Sequence, residues 1–162
     1  AVLSYAGSGR LVAACGGSGA AGSSDKAVVA SPDGGRNWSQ LTVATFAEPG
    51  ARSYLLLGGD LGSLAARGQA LVLAASSGGS ELETSEDDGA TWVGSLSVPG
   101  SGGTPWTTLT FLTGSEVLAV SAAPTGMLDE CTVAEVCTMV PSGVAYLSHD
   151  AAATWTELLP PG

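Results

Sequence analysis

Ser31-Pro-Asp33-Gly-Gly35-Arg-Asn37-Trp38 is the first of three similar stretches in this 162-residue chain. The others are Ser85-Glu-Asp87-Asp-Gly89-Ala-Thr91-Trp92 and Ser148-His-Asp150-Ala-Ala152-Ala-Thr154-Trp155. All three align without gaps on the pattern Ser-x-Asp-x-Gly-x-Thr-Trp, which we call the motif. Three matches in one register, each preceded by an apolar segment, indicate a structural unit that is repeated along the chain.

The residue types of the motif suit a tight hairpin between two strands. Its Asp can accept hydrogen bonds from N–H groups of its own turn. Its Gly adopts positive φ without a steric penalty, and its Trp fills an apolar core. Two copies deviate, because Asn37 stands where Thr is usual and Ala152 stands in the place of Gly. We therefore predict a strained or differently shaped turn in the third copy.

Short apolar segments separated by Gly-containing turns predict four strands in each unit and no helix. The strands are predicted at 3–5, 10–15, 28–31 and 38–43, then at 62–65, 69–75, 82–85 and 92–98, and finally at 108–112, 116–121, 144–148 and 155–158. A gap-free alignment of the second strands places Leu11, Ala70 and Val117 at equivalent positions. The predicted fold class is all-β, a β-propeller segment of three four-stranded antiparallel blades. The blades are expected at about 1–45, 52–99 and 104–160 of a single domain.

The three motifs resemble the Asp-box, or bacterial neuraminidase, repeat of the sialidase and sortilin-like propellers. The resemblance covers nearly the whole chain and implies a propeller rather than one particular activity. It also implies that the motif residues are structural and lie away from the binding face. These residues are Ser31, Asp33, Gly35, Trp38, Ser85, Asp87, Gly89, Trp92, Ser148, Asp150 and Trp155.

Candidate ligand-binding residues are expected in the loops that join strand two to strand three, or one blade to the next. The loop at 122–142 is the longest, and it is either functional or a simple insertion. It contains Asp129, Glu130 and Glu135, while Trp106 before a first strand is either a sugar platform or a packing residue. A sialidase needs an arginine cluster and a Tyr–Glu pair, and the Arg-Ile-Pro motif of that family is absent. No catalytic residue is therefore assigned.

The cysteines and charges narrow the classes of partner. Cys131 and Cys137 are spaced for a small disulfide loop, whereas Cys15 in an apolar run suggests a buried free thiol. His149 is the only His and no CxxC pair exists, so neither a metal nor another cofactor is expected. The net charge is −10, and residues 68–162 contain eleven acids but no Lys or Arg. This distribution disfavours nucleic acid and anionic membranes as partners. It leaves open a solvated acidic surface, a cation site or a basic partner. No membrane span is expected either, because no apolar run approaches the ~18–20 residues that a spanning helix needs.

These observations lead to one expected function and one alternative. We expect a non-catalytic, extracellular or cell-surface propeller that binds a glycan or protein, or builds a surface assembly. The alternative is a fragment or subunit of an Asp-box glycoside hydrolase of the sialidase or xyloglucanase type. Because three blades do not readily close a ring, the expected partners include further blades or a second copy of the chain.

Overall fold

A computed structural model of the chain describes residues 1–16, 25–44, 60–76, 80–98, 106–121 and 144–158. Within these ranges the chain forms strands and turns and contains no helix, as the sequence predicts. The strands form three separate sheets, one for each predicted blade. We number the sheets as blades 1, 2 and 3.

Each blade is a four-stranded antiparallel sheet in which the strands follow one another in chain order. Blade 1 contains β1 Val2–Gly7, β2 Arg10–Gly16, β3 Lys26–Ser31 and β4 Ser39–Ala44. Blade 2 contains β5 Asp60–Arg67, β6 Ala70–Ser76, β7 Ser80–Ser85 and β8 Val93–Val98. Blade 3 contains β9 Trp106–Phe111, β10 Val117–Ser121, β11 Val144–Ser148 and β12 Thr156–Leu158. In every blade the fourth strand starts just after the motif Trp.

The pairing register corrects the alignment of the second strands. Leu11 pairs with Ser31 and Val117 pairs with Ser148, but the residue paired with Ser85 is Leu71 rather than Ala70. The cause is the turn between the first and second strands of the blade, which we call the first turn. In blade 2 this turn is one residue shorter than in blades 1 and 3. Tyr5 pairs with Leu11 across that turn in blade 1, whereas Ala66 pairs with Leu71 in blade 2. A gap-free alignment cannot detect a difference in turn length.

Neighbouring blades contact each other mainly through their first strands, β1, β5 and β9. The N–H of Ala66 donates a hydrogen bond of 3.0 Å to Ser4 Oγ, and the N–H of Gly68 donates one of 3.1 Å to the Ala6 carbonyl. These contacts place the first strands side by side, at one edge of every sheet.

The blades stack face to face on two apolar cores. We call the face that packs on the next blade the forward face, and the face that packs on the preceding blade the backward face. In the first core, the forward face of blade 1 supplies Val12, Ala14, Val28 and Ala30, and the backward face of blade 2 supplies Leu64, Ala66, Leu71, Leu73 and Trp92. In the second core, the corresponding faces of blades 2 and 3 supply Val72, Ala74 and Leu82, and Leu109, Val117 and Ala119. Alternation along each strand produces the two faces, because successive side chains point to opposite sides of a sheet.

Two polar contacts reinforce the interface between blades 1 and 2. The Arg10 guanidinium donates to the Gly68 carbonyl and also pairs with the Asp88 carboxylate. The Thr42 hydroxyl of β4 donates to the Gly89 carbonyl in the motif of blade 2. The forward face of blade 1 therefore holds both the first turn and the motif turn of its neighbour.

Candidate binding site

The three motif turns share one hydrogen-bond pattern around the Ser and Asp side chains. In each copy the Ser hydroxyl donates to the first Asp oxygen at 2.8 Å, as in Ser31 and Asp33. The same hydroxyl oxygen accepts the N–H of the residue at the Gly position, at 2.8 Å for Gly35, 2.7 Å for Gly89 and 2.8 Å for Ala152. The turn is therefore closed by its own side chains.

The Asp carboxylate also binds the residue at the Thr position. It accepts the backbone N–H of Asn37 at 2.9 Å, of Thr91 at 2.8 Å and of Thr154 at 2.8 Å. The hydroxyls of Thr91 and Thr154 donate to the second Asp oxygen at 2.6 Å, and the Asn37 amide takes over this role in blade 1. Asn at this position thus preserves the interaction, because its side-chain N–H replaces the Thr O–H.

These hydrogen bonds lower the pKa of each motif carboxyl to about 2. The backbone N–H of Asn37 is the largest cause for Asp33, and the Thr91 and Thr154 hydroxyls are the largest for Asp87 and Asp150. A carboxylate held ionised in this way is a poor proton donor near neutral pH. The motif acids therefore act as acceptors within their turns.

Every motif turn contains two consecutive residues with positive φ. The values are 72° and 92° for Gly34 and Gly35, and 62° and 83° for Asp88 and Gly89. In the third copy Ala151 and Ala152 adopt 56° and 74°. The third turn therefore keeps the shape of the others, and the predicted strain arises because two alanines occupy the left-handed region.

Ala152 changes the position of the motif Trp rather than the turn. The indole N–H of Trp38 donates to the Gly35 carbonyl at 3.0 Å, and that of Trp92 donates to the Gly89 carbonyl at 2.9 Å. A Cβ at Gly89 would lie only 3.3 Å from the Trp92 ring. Ala152 carries such a Cβ, and the indole of Trp155 instead donates to Ser95 Oγ of blade 2 at 3.3 Å.

Each motif turn also binds the first turn of its own blade. The N–H groups of Gly34, Asp88 and Ala151 donate to the carbonyls of Gly9, Gln69 and Ser115. First turns and motif turns therefore share one end of the blades. In blade 1 the second strand ends and the third begins at the other end, where Gly16 pairs with Lys26, and that is the end that the sequence analysis nominated for binding.

A cavity of about 630 Å³ lies at the motif end, between the first strands of all three blades. It is lined by residues 4–8, 65–68 and 109–111. The Tyr5 side chain is 63% exposed beside it, Arg67 is exposed and Phe111 is half-buried. None of the lining residues is Asp, Glu, His or Cys.

The lining of this cavity combines ring surface with one cation. Tyr5 and Phe111 offer aromatic faces that can pack on an apolar or planar group. Arg67 can donate paired hydrogen bonds to a carboxylate or a carbonyl. The Tyr5 hydroxyl accepts the Gly9 N–H at 3.1 Å, which fixes the ring against the first turn. The sequence analysis missed this site, although Tyr5 and Phe111 occupy equivalent positions of the first strands, where they pair with Leu11 and Val117.

Most residues of the predicted ligand loop lie outside the described residues. They are Asp129, Glu130 and Glu135, together with the predicted disulfide pair Cys131 and Cys137. Trp106 is the first residue of β9 and pairs with Ser121. Cys15, predicted to be a buried free thiol, is a free cysteine in β2 that is half-buried.

A carboxyl group in the acidic run 81–88, a pattern typical of a solvated turn, is instead buried between blades 1 and 2. Glu83 has no exposed surface, and neither of its carboxylate oxygens has a hydrogen-bond partner. It pairs with Leu73 on the backward face of blade 2, where blades 1 and 3 have Val29 and Tyr146. Burial and the charge of Glu81 raise its pKa to about 7, and the charge of Lys26, itself 3% exposed, opposes them.

Two kinds of feature are absent from the described part of the chain. No cluster of three or more His, Cys, Asp or Glu side chains is arranged to hold a metal ion there. The same ranges contain no helix with the length and apolarity needed to cross a membrane.

Comparison with solved structures identifies the fold as a β-propeller. The chain is similar to "YCF48 bound to D1 peptide", with a TM-score of 0.55 and 12% identity over 96% of this chain and 38% of that chain. It is also similar to YCF48 from Cyanidioschyzon merolae, with a TM-score of 0.54, 13% identity and the same coverage. For the NanB sialidase from Streptococcus pneumoniae the TM-score is 0.49, with 17% identity over 83% of this chain and 19% of that chain.

The described chain therefore forms three blades of a propeller. It spans less than two fifths of the length of the two YCF48 structures. No family model and no curated protein matches it.

The left-handed alanines lead to a prediction about stability. Ala151→Gly should raise the free energy of unfolding by about 1 kcal/mol, because Gly adopts positive φ without a Cβ clash. The matched reverse change, Gly34→Ala, should lower it by a similar amount, since a Cβ there meets no atom within 4 Å and only the backbone conformation is penalised. Urea denaturation measures both. Equal stability of Ala151→Gly and the wild type would contradict the left-handed assignment.

The buried carboxyl leads to a prediction about pH. A pKa of about 7 in the folded state, against 4.5 as the ordinary value, means that folding takes up a proton between these limits. The stabilising protonated state is complete below about pH 4.5 and is lost as the pH rises through 7, with a total loss of about 3 kcal/mol. Glu83→Gln should remove this loss when the free energy of unfolding is measured at pH 5 and pH 8.

Glu81→Gln is the matched control for this measurement. This change removes a neighbouring charge that raises the Glu83 pKa. The decrease in the free energy of unfolding between pH 5 and pH 8 should therefore become smaller without disappearing. The free energy of unfolding of the wild type could instead fall between pH 5 and pH 8 by only as much as that of Glu83→Gln. The carboxyl would then be ionised in the folded state at both pH values, which contradicts the prediction.

Proposed function

We propose that the chain is the binding part of a non-catalytic propeller, and that the cavity between its first strands receives a peptide segment of another protein. The observation that carries this proposal is the cavity lining, in which Tyr5, Phe111 and Arg67 surround about 630 Å³ without a carboxylate. Aromatic and Arg side chains are the types that dominate protein recognition sites.

The strands around the cavity add to this support. β1, β5 and β9 are each the edge strand of their sheet, and an edge strand can pair with an extended peptide. The YCF48 structure with a bound D1 peptide shows that a propeller of similar fold takes a peptide ligand. A peptide that ends in a carboxylate, or carries an acidic side chain, is the form that Arg67 would recognise.

Screening this chain against immobilised peptide and glycan arrays tests the proposal. We expect peptide binding that falls about tenfold or more in Arg67→Ala and in Tyr5→Ala, because each removes a central contact. Arg36→Ala is the matched control, since Arg36 is also exposed but does not line the cavity. Binding that is unchanged in both cavity variants would place the ligand elsewhere.

The same arrays distinguish the remaining alternatives. Selective glycan binding that depends on Tyr5 would replace the peptide with a sugar stacked on the ring. Release of sugar from any glycan would favour a glycoside hydrolase. That reaction requires two carboxyl groups roughly 5–10 Å apart, and they would have to lie outside this cavity.

We further propose an extracellular or cell-surface location, where a disulfide between Cys131 and Cys137 would persist. Thiol titration of the protein, purified without reductant from an oxidising compartment and then denatured, should detect one free thiol, that of Cys15. Three free thiols would contradict the disulfide and remove the support for this location.

A further inference from the structure

The first strands of blades 1 and 2 are joined by two hydrogen bonds at the cavity. The Ser4 hydroxyl of β1 accepts the backbone N–H of Ala66 in β5 at 3.0 Å. A second bond of 3.1 Å runs from the N–H of Gly68 to the carbonyl of Ala6. The pairing register shows whether the first strands of blades 2 and 3 can form the same two bonds.

The residues of each blade that correspond to this pair follow from the motif Ser. In every blade one residue of the second strand pairs with the motif Ser, and the residue opposite it on the first strand is Tyr5, Ala66 or Phe111. The residue before it on the first strand is Ser4, Ala65 or Thr110. Blades 1 and 3 therefore carry a hydroxyl at this position, whereas blade 2 carries only the methyl group of Ala65.

The N–H of Phe111 is the donor that this methyl group leaves without the cross-blade bond. The next N–H along the chain, that of Leu112, donates at 2.8 Å to the carbonyl of Glu116, the residue before β10. Because successive residues of a strand direct their N–H groups to opposite sides, the N–H of Phe111 points away from β10, on the side of the cavity that Phe111 lines. Ala65 has no hydroxyl oxygen that could accept it.

The second cross-blade bond is not repeated at this junction either. Ala6 is the extra residue in the first turn of blade 1, where the register shifts just after Tyr5. Blade 2 pairs without a shift in the corresponding region, so it has no counterpart of Ala6. On blade 3 the N–H of Thr113, the counterpart of Gly68, donates to the Glu116 carbonyl of its own turn at 3.4 Å. Neither bond that joins blades 1 and 2 therefore joins blades 2 and 3.

The side chains at the junction of blades 2 and 3 suit an oxygen acceptor. Ala65 belongs to the core between these blades, so the exposed side chain of Arg67, two positions later, lies on the same side of β5. Phe111 packs against that core from blade 3. The cavity lining contains no carboxylate that would compete for the donors of this junction. A main-chain N–H and a guanidinium in one cavity can both donate to carbonyl or carboxylate oxygens.

We propose that the peptide in the cavity lies at the junction of blades 2 and 3, where one of its oxygen atoms accepts the N–H of Phe111 and another accepts from Arg67. The first oxygen belongs to a main-chain carbonyl or to the C-terminal carboxylate, which offer the same acceptor chemistry. Ala65 determines the position of the peptide, because its missing hydroxyl leaves the N–H of Phe111 to the ligand. This inference rests on the proposed function, since it locates the peptide within the cavity already described.

Amide hydrogen exchange, followed by NMR of the ¹⁵N-labelled chain, tests the donor without any ligand. In the wild type the N–H of Ala66 should exchange at least about tenfold more slowly than that of Phe111, because only the former is bonded to a hydroxyl. Ala65→Ser should slow the exchange of Phe111, since it restores the hydroxyl. Equally slow exchange of both N–H groups in the wild type would overturn the proposal. So would an unchanged rate for Phe111 in Ala65→Ser, since position 65 would then not control this N–H.

Peptide arrays probed with the wild type and with Ala65→Ser test the ligand. Each peptide is attached through its N-terminus and is present both with a free C-terminal carboxylate and as the C-terminal amide. We expect Ala65→Ser to weaken binding about fivefold, because its hydroxyl occupies the N–H that the peptide needs. Ala74→Ser is the matched control, since it adds a hydroxyl to the same core but does not line the cavity. It should bind like the wild type.

The two forms of each peptide distinguish the sources of the oxygen. Equal binding of both forms assigns it to a main-chain carbonyl, and binding of the free carboxylate alone assigns it to the C-terminus. Binding that weakens in Arg67→Ala and Tyr5→Ala but not in Ala65→Ser would overturn this inference and leave the proposed function intact. A wild type that binds no peptide would contradict the proposed function itself.

Discussion

The motif carboxylate is the interaction on which the rest of this structure depends. By accepting the N–H and the side-chain donor of the residue four positions later, Asp87 closes a turn with two left-handed residues. That turn directs Trp92 onto the preceding blade and offers the Asp88 N–H to the carbonyl of Gln69 in the first turn of its own blade. One side chain thus connects the hairpin, the sheet and the stack of sheets, and its low pKa keeps it ionised as an acceptor over the ordinary pH range.

Much of this architecture could be predicted from sequence because its determinants are local. The Ser31, Asp33 and Asn37 interactions all fall within seven residues, and the strands on either side alternate between two faces. The position of Leu71 could not be predicted, because it depends on the length of a turn that carries no distinctive residue type. The cavity could not be predicted from the sequence either. It forms only where three residues that are far apart in sequence, Tyr5, Arg67 and Phe111, lie on three adjacent edge strands.

The burial of Glu83 could not be predicted from the sequence, because its neighbours along the chain are typical of a surface segment. In the acidic run that begins at Glu81 it resembles a solvated surface residue, and hydrophobicity alone assigns it to water. Its neighbours in the sheet decide otherwise, because Leu73 opposite it faces blade 1 and is buried, as is Leu64 on the next strand. The carboxyl is therefore desolvated, and its raised pKa is the physical consequence.

The charged groups between blades 1 and 2 also bear on the order in which the blades stack. An isolated buried carboxylate is costly, and a nearby cation reduces that cost. On the forward face of blade 1, Lys26 exerts a favourable charge on Glu83, but the matching position on the forward face of blade 2 is Ser80. A blade without a cation at this position would leave the Glu83 charge uncompensated, whereas the backward face of blade 1, with Val29 at the Glu83 position, requires no cation. Lys26 therefore favours the observed contact, in which the forward face of blade 1 packs on the backward face of blade 2.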